Sequence, residues 1–448
     1  MNFTEHIILP VSDFLTGKSI AKHLRFLEKS QFWSRDKIEA YQNEKLKALI
    51  AHTYHNVPFY RGIFEDLRLK PEDIQTKNDL EKLPVITKDD IRKNYDKWMA
   101  VNIPKSQLIS YVSSGSTGEP FLYYRTKYSE SFQKATAIRA WKWMNYRMGN
   151  KYVKTSIHER ESTLKKIQDI INRSLFLNFS HFNDAFFKKT YAKILNFEPV
   201  VIRGYPHPLS LLASYIQRNH KSYSGKKLKA INTTGSTLHP KDRQQLENTF
   251  KVKVFDSYSC EGSAFIAQCE HNNLYHPAEE YAILEFLPSK YTETDPEKPL
   301  RHITTDLHNY AFPFIRYDTQ DYVVVKKNIP CDCNRKLLSI AKIKGRDTDI
   351  LITPQKKYIL MENILGYFEN QQNVLQIQVV QEDYDTFVFN LVVNSSFNNQ
   401  HKEIISTYWQ NFMGDDCRII INMVDEIQLT RTGKRRTVIR NPKIKINY

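Results

Sequence analysis

Between residues 199 and 259 the hydrophobic period of the chain alternates, and this alternation limits the fold more than any other feature. PVVIRGYP (199–206), KLKAINTTG (227–235) and KVKVFDSYS (251–259) are short apolar strings rich in β-branched or aromatic residues. SLLASYIQRNH (210–220) and PKDRQQLENTF (240–250), lying between them, space their apolar residues at helical period. Strand, helix, strand, helix, strand in that order predicts an α/β domain built on a β-sheet flanked by helices.

The flanking regions differ. The first hundred residues read as helical: DKIEAYQNEKLKALIAHTYHNV repeats apolar residues at Leu46, Leu49, Ile50 and Tyr54, and Pro58 stops it. Thr87 followed by Asp89 and Asp90 is a helix start. Near residue 345 a second regime begins. GRDTDILITPQKKYILMENILGYFE leads into VLQIQVVQED, FVFNLVVNSS, a helical HKEIISTYWQNF and RIIINMVDE. The expectation is therefore a large N-terminal domain, 1–344, and a small α+β domain, 345–448.

Composition excludes several classes. With 448 residues, 41% of them hydrophobic, and 26 Tyr and 25 Phe, the chain can bury a core and is not a disordered protein. No apolar run reaches the ~18 residues of a membrane span. MNFTEHIILPVSDF lacks the basic start of a secretion signal, so a cytoplasmic protein is expected. The 65 Lys and Arg against 49 Asp and Glu leave +16. Those cations are spread out, densest at Arg431–Arg440, with no aromatic-interleaved module. They read as a solvated basic surface or an attraction for a charged nucleotide, with no specific nucleic-acid partner. The sequence sets no oligomeric state.

Glycine is scarce, 13 in 448 against an average of ~7%. Two nevertheless fall in Tyr111-Val-Ser-Ser-Gly-Ser-Thr-Gly-Glu-Pro120, among three serines and a threonine. Such a turn can aim backbone N–H groups and hydroxyls at phosphate oxygens, or be an ordinary surface turn. No Gly-Lys-[Ser/Thr] follows, so it is not a P-loop. Other segments stand in order around it. LIAHTYHNVPFYRGIFEDLRLKPEDI and DLEKLPVITKDDIR precede it; RGYPHPL, TGSTLHP, TDLHNYAFPFIRYDTQD, KIKGRDTDILI and LTRTGKRR follow. Together they resemble the adenylate-forming, acyl-activating superfamily, and within it the phenylacetate–coenzyme A ligase family, in the branch associated with capsular-polysaccharide biosynthesis. The resemblance covers nearly the whole chain.

The resemblance implies roles. Ser113, Ser114, Gly115, Ser116, Thr117 and Gly118 would hold the ATP phosphates, and Gly235 and Ser236 would lie at the adenine. Glu261, in Asp256-Ser-Tyr-Ser-Cys-Glu261, would hold magnesium with Thr117, an oxygen-ligand chemistry apt for that ion. Tyr258 stands closer to the Glu than the family pattern has it, and Ser259 replaces a glycine. Asp321 would accept from the ribose hydroxyls, and Arg346 stands beside the interdomain hinge, where Thr348 replaces the usual Asp or Lys. Lys434 would place an ammonium on the charge that develops at the α-phosphate. Arg203, Tyr205, His207, Ser236 and Thr237 are candidates for the acyl pocket. The implied reaction joins a small-molecule carboxylic acid and ATP into an acyl-adenylate, then passes the acyl group on. Coenzyme A is the first choice of acceptor; a sugar or a carrier remains the alternative.

All five cysteines follow residue 259, and an odd count argues against a disulfide framework. Cys269, His276, Cys331 and Cys333 offer three sulfurs and an imidazole, the donor set of a closed structural zinc site, with His271 the alternative nitrogen. Scattered free thiols are the competing reading, and Cys260 and Cys417 read as core thiols. Two other classes compete with an enzyme: a polyanion binder and a non-catalytic scaffold.

Overall fold

The computed structural model describes residues 2–112, 121–156, 162–179, 184–220, 222–260, 265–289, 297–325, 331–346, 350–369, 371–428 and 436–444. Strands Ser174–Asn178, Tyr152–Ser156, Val201–Gly204, Ala230–Thr234 and Lys253–Tyr258 lie side by side in that order, all parallel. Ile266–Gln268 and Tyr275–Pro277 extend the same sheet antiparallel, making seven strands. The alternation between 199 and 259 is thus a run of parallel strands with crossover helices, Pro206–His220 and Pro240–Phe250.

Parallel strands covered on both faces need apolar residues on both. One face sets Val153, Ile202, Ile231 and Val254 against Leu209, Leu212 and Ile216 of the first crossover helix and Phe187 and Ile194 of helix Asp184–Phe197. The other sets Val201, Ala230 and Phe255 against Met144 and Tyr146, with Trp141 at the margin. Trp143, by contrast, turns into a separate cluster with Cys269 and Cys333.

A second sheet, antiparallel throughout, takes Ala282–Leu287, Leu300–Asp306, Tyr317–Val324 and Lys342–Arg346 in chain order. The N-terminal hundred residues are helical, as the pattern predicts. Helix Arg35–Asn56 halts before Pro58, which then opens helix Pro58–Asp66 at its first turn. At Thr87 the hydroxyl accepts from the Asp90 amide at 3.2 Å while the Asp90 carboxylate accepts from the Thr87 amide at 2.8 Å.

After Arg346, a hairpin Ile350–Ile352/Tyr358–Leu360 leads to helix Met361–Glu369 and a four-stranded mixed sheet. Its order is Arg418–Met423, Thr386–Val393, Val374–Gln381, Val438–Arg440, with helix Asn399–Met413 packing Ile405, Trp409 and Met413 into the core. Cys417 is buried there, as expected; Cys260 is only half-buried, which corrects its reading as a core thiol. It lies two residues past the end of strand Lys253–Tyr258, outside the regular sheet. Among the described residues no helix is long and apolar enough to cross a membrane.

Candidate functional site

In an open α/β sheet, ligands are met at the carboxyl ends of the parallel strands, where the loops leave. Several residues singled out by sequence arrive there. Gly204 closes its strand so near the next that a Cβ would stand 2.0 Å from Thr155 Oγ1. Tyr205 follows directly. Gly235, one residue past Thr234, has φ +80°, and a Cβ on it would meet Tyr205 Cε1 at 2.4 Å. Both the backbone conformation and the space therefore demand glycine. Tyr205 and Gly235, assigned to the acyl pocket and the adenine side, are direct neighbours. Ser236 and Thr237 follow, half-buried. His207 differs in kind: it is buried in the first turn of helix Pro206–His220.

The third strand end, Tyr258, supplies a contact that sequence reasoning did not find. Its hydroxyl donates to Asp321 Oδ2, joining the large sheet to the second one. Asp321 is buried, its amide donates to Thr319 Oγ1 at 3.2 Å, and it pairs in register with Arg346 on the adjacent strand. The two residues matched separately to ribose and hinge thus stand on neighbouring strands. His302, fully buried, lies with its ring 6.0 Å from that of Tyr258 and 6.2 Å from that of Phe286. Neither ring nitrogen has a partner among the described residues. Burial pulls its pKa down to about 4 against the opposing pull of Asp321, so the ring is neutral at physiological pH.

Strands Leu108–Val112 and Leu122–Thr126 pair antiparallel with Val112 opposite Leu122, so the Ser/Thr/Gly stretch leaves and rejoins one hairpin. Ser113, Ser114, Gly115, Ser116, Thr117 and Gly118 themselves lie outside the described residues, as do Glu261, Thr348 and Lys434. Of Arg346 only the backbone is described.

The cysteine set assembles. Ligand atoms of Cys269, His276, Cys331 and Cys333 all lie within 4.8 Å of one another. Cys269 Sγ is 3.3 Å from Cys331 Sγ and Cys333 Sγ is 3.4 Å from His276 Nε2. None of the five cysteines is in a disulfide. His276 Nδ1 faces the Leu338 carbonyl at 2.9 Å, which fixes the tautomer and leaves Nε2 for the cluster. His271 is exposed and offers Cys269 only its backbone, the carbonyl accepting at 2.9 Å. Hydrogen bonds, that from Cys269 foremost, hold the Cys333 thiol far below its ordinary pKa, while the same bond pushes Cys269 up. Burial pushes Cys331 up as well, so within the set Cys333 is the sulfur held toward thiolate. Three sulfurs and one nitrogen at this spacing fit tetrahedral zinc.

Residues 351–441 match the family model described as the CapK C-terminal domain. The chain is 26% identical over 416 residues to Protein CapK of Staphylococcus aureus, covering 90% of this chain and 89% of that one. It is 25% identical over 362 residues to a phenylacetate-coenzyme A ligase of Pseudomonas putida, covering 80% of each. A crystal structure of 2-hydroxyisobutyryl-CoA ligase in the postadenylation state superposes with a TM-score of 0.71 at 17% identity, covering 92% of this chain and 91% of that one. The fold is that of the adenylate-forming ligases, and the chain is a homologue of CapK and of phenylacetate-coenzyme A ligases.

Proposed function

We propose that this chain, an adenylate-forming ligase by homology and fold, activates a carboxylic acid with ATP and then transfers the acyl group to coenzyme A. A carboxylate oxygen attacks the α-phosphorus, pyrophosphate leaves, and a mixed anhydride forms. The thiolate of coenzyme A then attacks the acyl carbon and AMP leaves. The observation that carries this reading is the meeting of Tyr205 with Gly235, and of Tyr258 with Asp321, at one end of the parallel strands. Those are four of the positions where the two halves of an acyl-adenylate would have to converge.

In this reading Ser113–Gly118 hold the phosphates and Asp321 accepts from the ribose, held in place by the Tyr258 hydroxyl. Glu261 and Thr117 would hold magnesium, which neutralises phosphate charge when bound. Lys434 brings its ammonium to the oxygens that gain charge in the first step. The chain divides into 1–344 and 345–448, and rotation of the second part about Arg346 and Thr348 withdraws Lys434 before thioester formation. Cys269, His276, Cys331 and Cys333 would hold zinc as a structural clamp, far from any role in the chemistry, because a closed set leaves no open coordination position.

The test is ATP–pyrophosphate exchange over a panel of carboxylic acids, with zinc measured on the same preparation. The expected result is acid-dependent exchange that Lys434→Ala lowers at least about 100-fold, the scale of losing one electrostatic stabiliser. Exchange at the parental rate in that variant removes Lys434 from the reaction. Nucleotide binding with no exchange on any acid points to the scaffold reading.

A further inference from the structure

The parallel sheet carries a cation that no carboxylate among the described residues neutralises. Arg203 lies one residue before the end of strand Val201–Gly204, in register with Lys154 on one side and Asn232 on the other. Residues in register project from the same face, so Lys154 and Arg203 set two positive charges beside one another. Arg203 is half-buried, enclosed by protein, with its guanidinium 5.6 Å from the Trp141 ring centroid. It makes no ion pair or hydrogen bond among the described residues, and its Nε is shielded from solvent with no acceptor. Burial lowers its pKa, Tyr152 and Tyr205 opposing, yet a guanidinium remains charged at neutral pH.

Three other enclosed guanidinium groups have carboxylate partners, whereas Arg125, 1% exposed, has the neutral Gln133 amide oxygen as its acceptor. Arg139 meets Glu280 at 2.8 Å, Arg316 meets Glu285 at 2.8 Å, and Arg335 grips Glu270 through two contacts of 2.9 Å. Leaving a shielded donor unmatched costs about 1–3 kcal/mol in general, and a cation–π contact offsets only part of that. A second orphan donor lies alongside, Trp141 Nε1, also buried without an acceptor among the described residues. Two donors without acceptors, one of them charged, call for an anion. The place is the acyl end of the site, because Tyr205 is two residues on and packs against Gly235.

We propose that Arg203, with Trp141 Nε1, binds a second, non-reacting anionic group on the carboxylic acid, so that the substrate is a dianion such as a dicarboxylate. The word substrate rests on the adenylation reading; the anion site does not. The aromatic enclosure by Trp141 and Tyr152 suits an organic acid better than a triphosphate, which the hairpin stretch 113–118 would take.

The test uses matched acids, phenylacetate against 4-carboxyphenylacetate and butyrate against succinate, on the full chain and on Arg203→Met, with Arg203→Gln as the second variant. Thermal unfolding reads binding and ATP–pyrophosphate exchange reads turnover. The expected result is that diacids raise the unfolding temperature of the wild type more than monoacids, and that both variants lose this difference. The diacid-to-monoacid ratio of kcat/KM falls about 100-fold, the scale of truncating one partner of a buried charge pair. Without ligand the variants unfold at the parental temperature or above, since no internal pair is lost. An unchanged ratio and unchanged stabilisation overturn the proposal. So does a fall in the ligand-free stability of both variants, because the counter-ion is then internal. Equal loss of stabilisation by AMP or pyrophosphate alone also overturns it, since the guanidinium then serves the nucleotide. Diacid stabilisation that depends on Arg203 without any exchange keeps the anion site and removes the adenylation reading.

Discussion

The Cys269–His276–Cys331–Cys333 set and the Arg203 end of the parallel sheet are both polar groups taken out of water, but they end differently. Around the cysteines every group has a neighbour to answer it: sulfur to sulfur at 3.3 Å, sulfur to imidazole at 3.4 Å, and imidazole to the Leu338 carbonyl at 2.9 Å. Around Arg203 the donors point at nothing among the described residues. The first arrangement offers a donor set that fits a cation; the second, on the proposal above, offers donors to something that comes and goes. An unpaired shielded donor costs stability, so one beside a strand end where ligands are met is a candidate for a ligand's partner. Closed sets brace the molecule and open sets mark where it works.

The strongest way to break that contrast is to open the closed set. Cys269→Ser, or a chelator on the wild type, should release zinc and lower the unfolding temperature by roughly 10 °C, since structural zinc contributes folding free energy directly. Metal analysis and a thermal melt read this; a chelator that leaves the melt unmoved would show that the thiols stand without an ion. Next comes the comparison of two arginines. Arg139→Met strands the Glu280 carboxylate, fully buried at 2.8 Å, and should cost about 3–5 kcal/mol in denaturant unfolding. Arg203→Met strands nothing and should cost close to zero. Equal losses at the two positions would erase the distinction between closed and open.

The sequence already carried the strands of the large sheet, because Val201–Gly204, Ala230–Thr234 and Lys253–Tyr258 are short β-branched strings between helices of clear period. It carried the helix start at Thr87, because a capping box is local. The cysteine set was legible for another reason: thiols are rare, and their chemistry narrows what three of them with an imidazole can do. What joins distant segments was not legible. Tyr258 looked like a departure from a family pattern, whereas its hydroxyl reaches Asp321, 63 residues away, across two sheets. Arg203 in a string of apolar residues carries no sign that it lacks a partner; isolation is a property of the packed molecule. Roles given by match to Ser113–Gly118, Glu261 and Lys434 lie beyond the described residues, so geometry adds nothing to them.

Asp256 sharpens the comparison with a titration. It is a closed group of the other sign, accepting from Thr233 Oγ1 at 2.7 Å and from Tyr275 at 2.9 Å. Burial nevertheless pushes it up to about 6, those hydrogen bonds opposing. A folded pKa above the unfolded one favours the protonated fold, so its contribution is fully present below the unfolded pKa. It is lost as pH rises through about 6. Relative to Asp256→Asn, the wild type should therefore lose up to about 3 kcal/mol between pH 4 and pH 7 and change no further above that. Urea unfolding of both proteins across that range decides it; a difference independent of pH means the carboxylate is already ionised in the fold.

The smallest effect is expected where the open and closed kinds meet. The Tyr258 hydroxyl ties down Asp321, but ribose hydroxyls would ask for the same carboxylate. If Tyr258 only braces the two sheets, Tyr258→Phe costs about 1 kcal/mol of stability and leaves nucleotide affinity as it was. If it orients Asp321 for the nucleotide, the variant raises KM for ATP about tenfold with little change in kcat, the pattern of lost uniform binding. The second outcome is expected, because Asp321 sits in register with Arg346, and the residue beyond the Tyr258–Ser259–Cys260 turn is Glu261. Measured in ATP–pyrophosphate exchange at saturating acid, a shift in kcat with KM fixed would instead place Tyr258 on the chemistry and not on the binding.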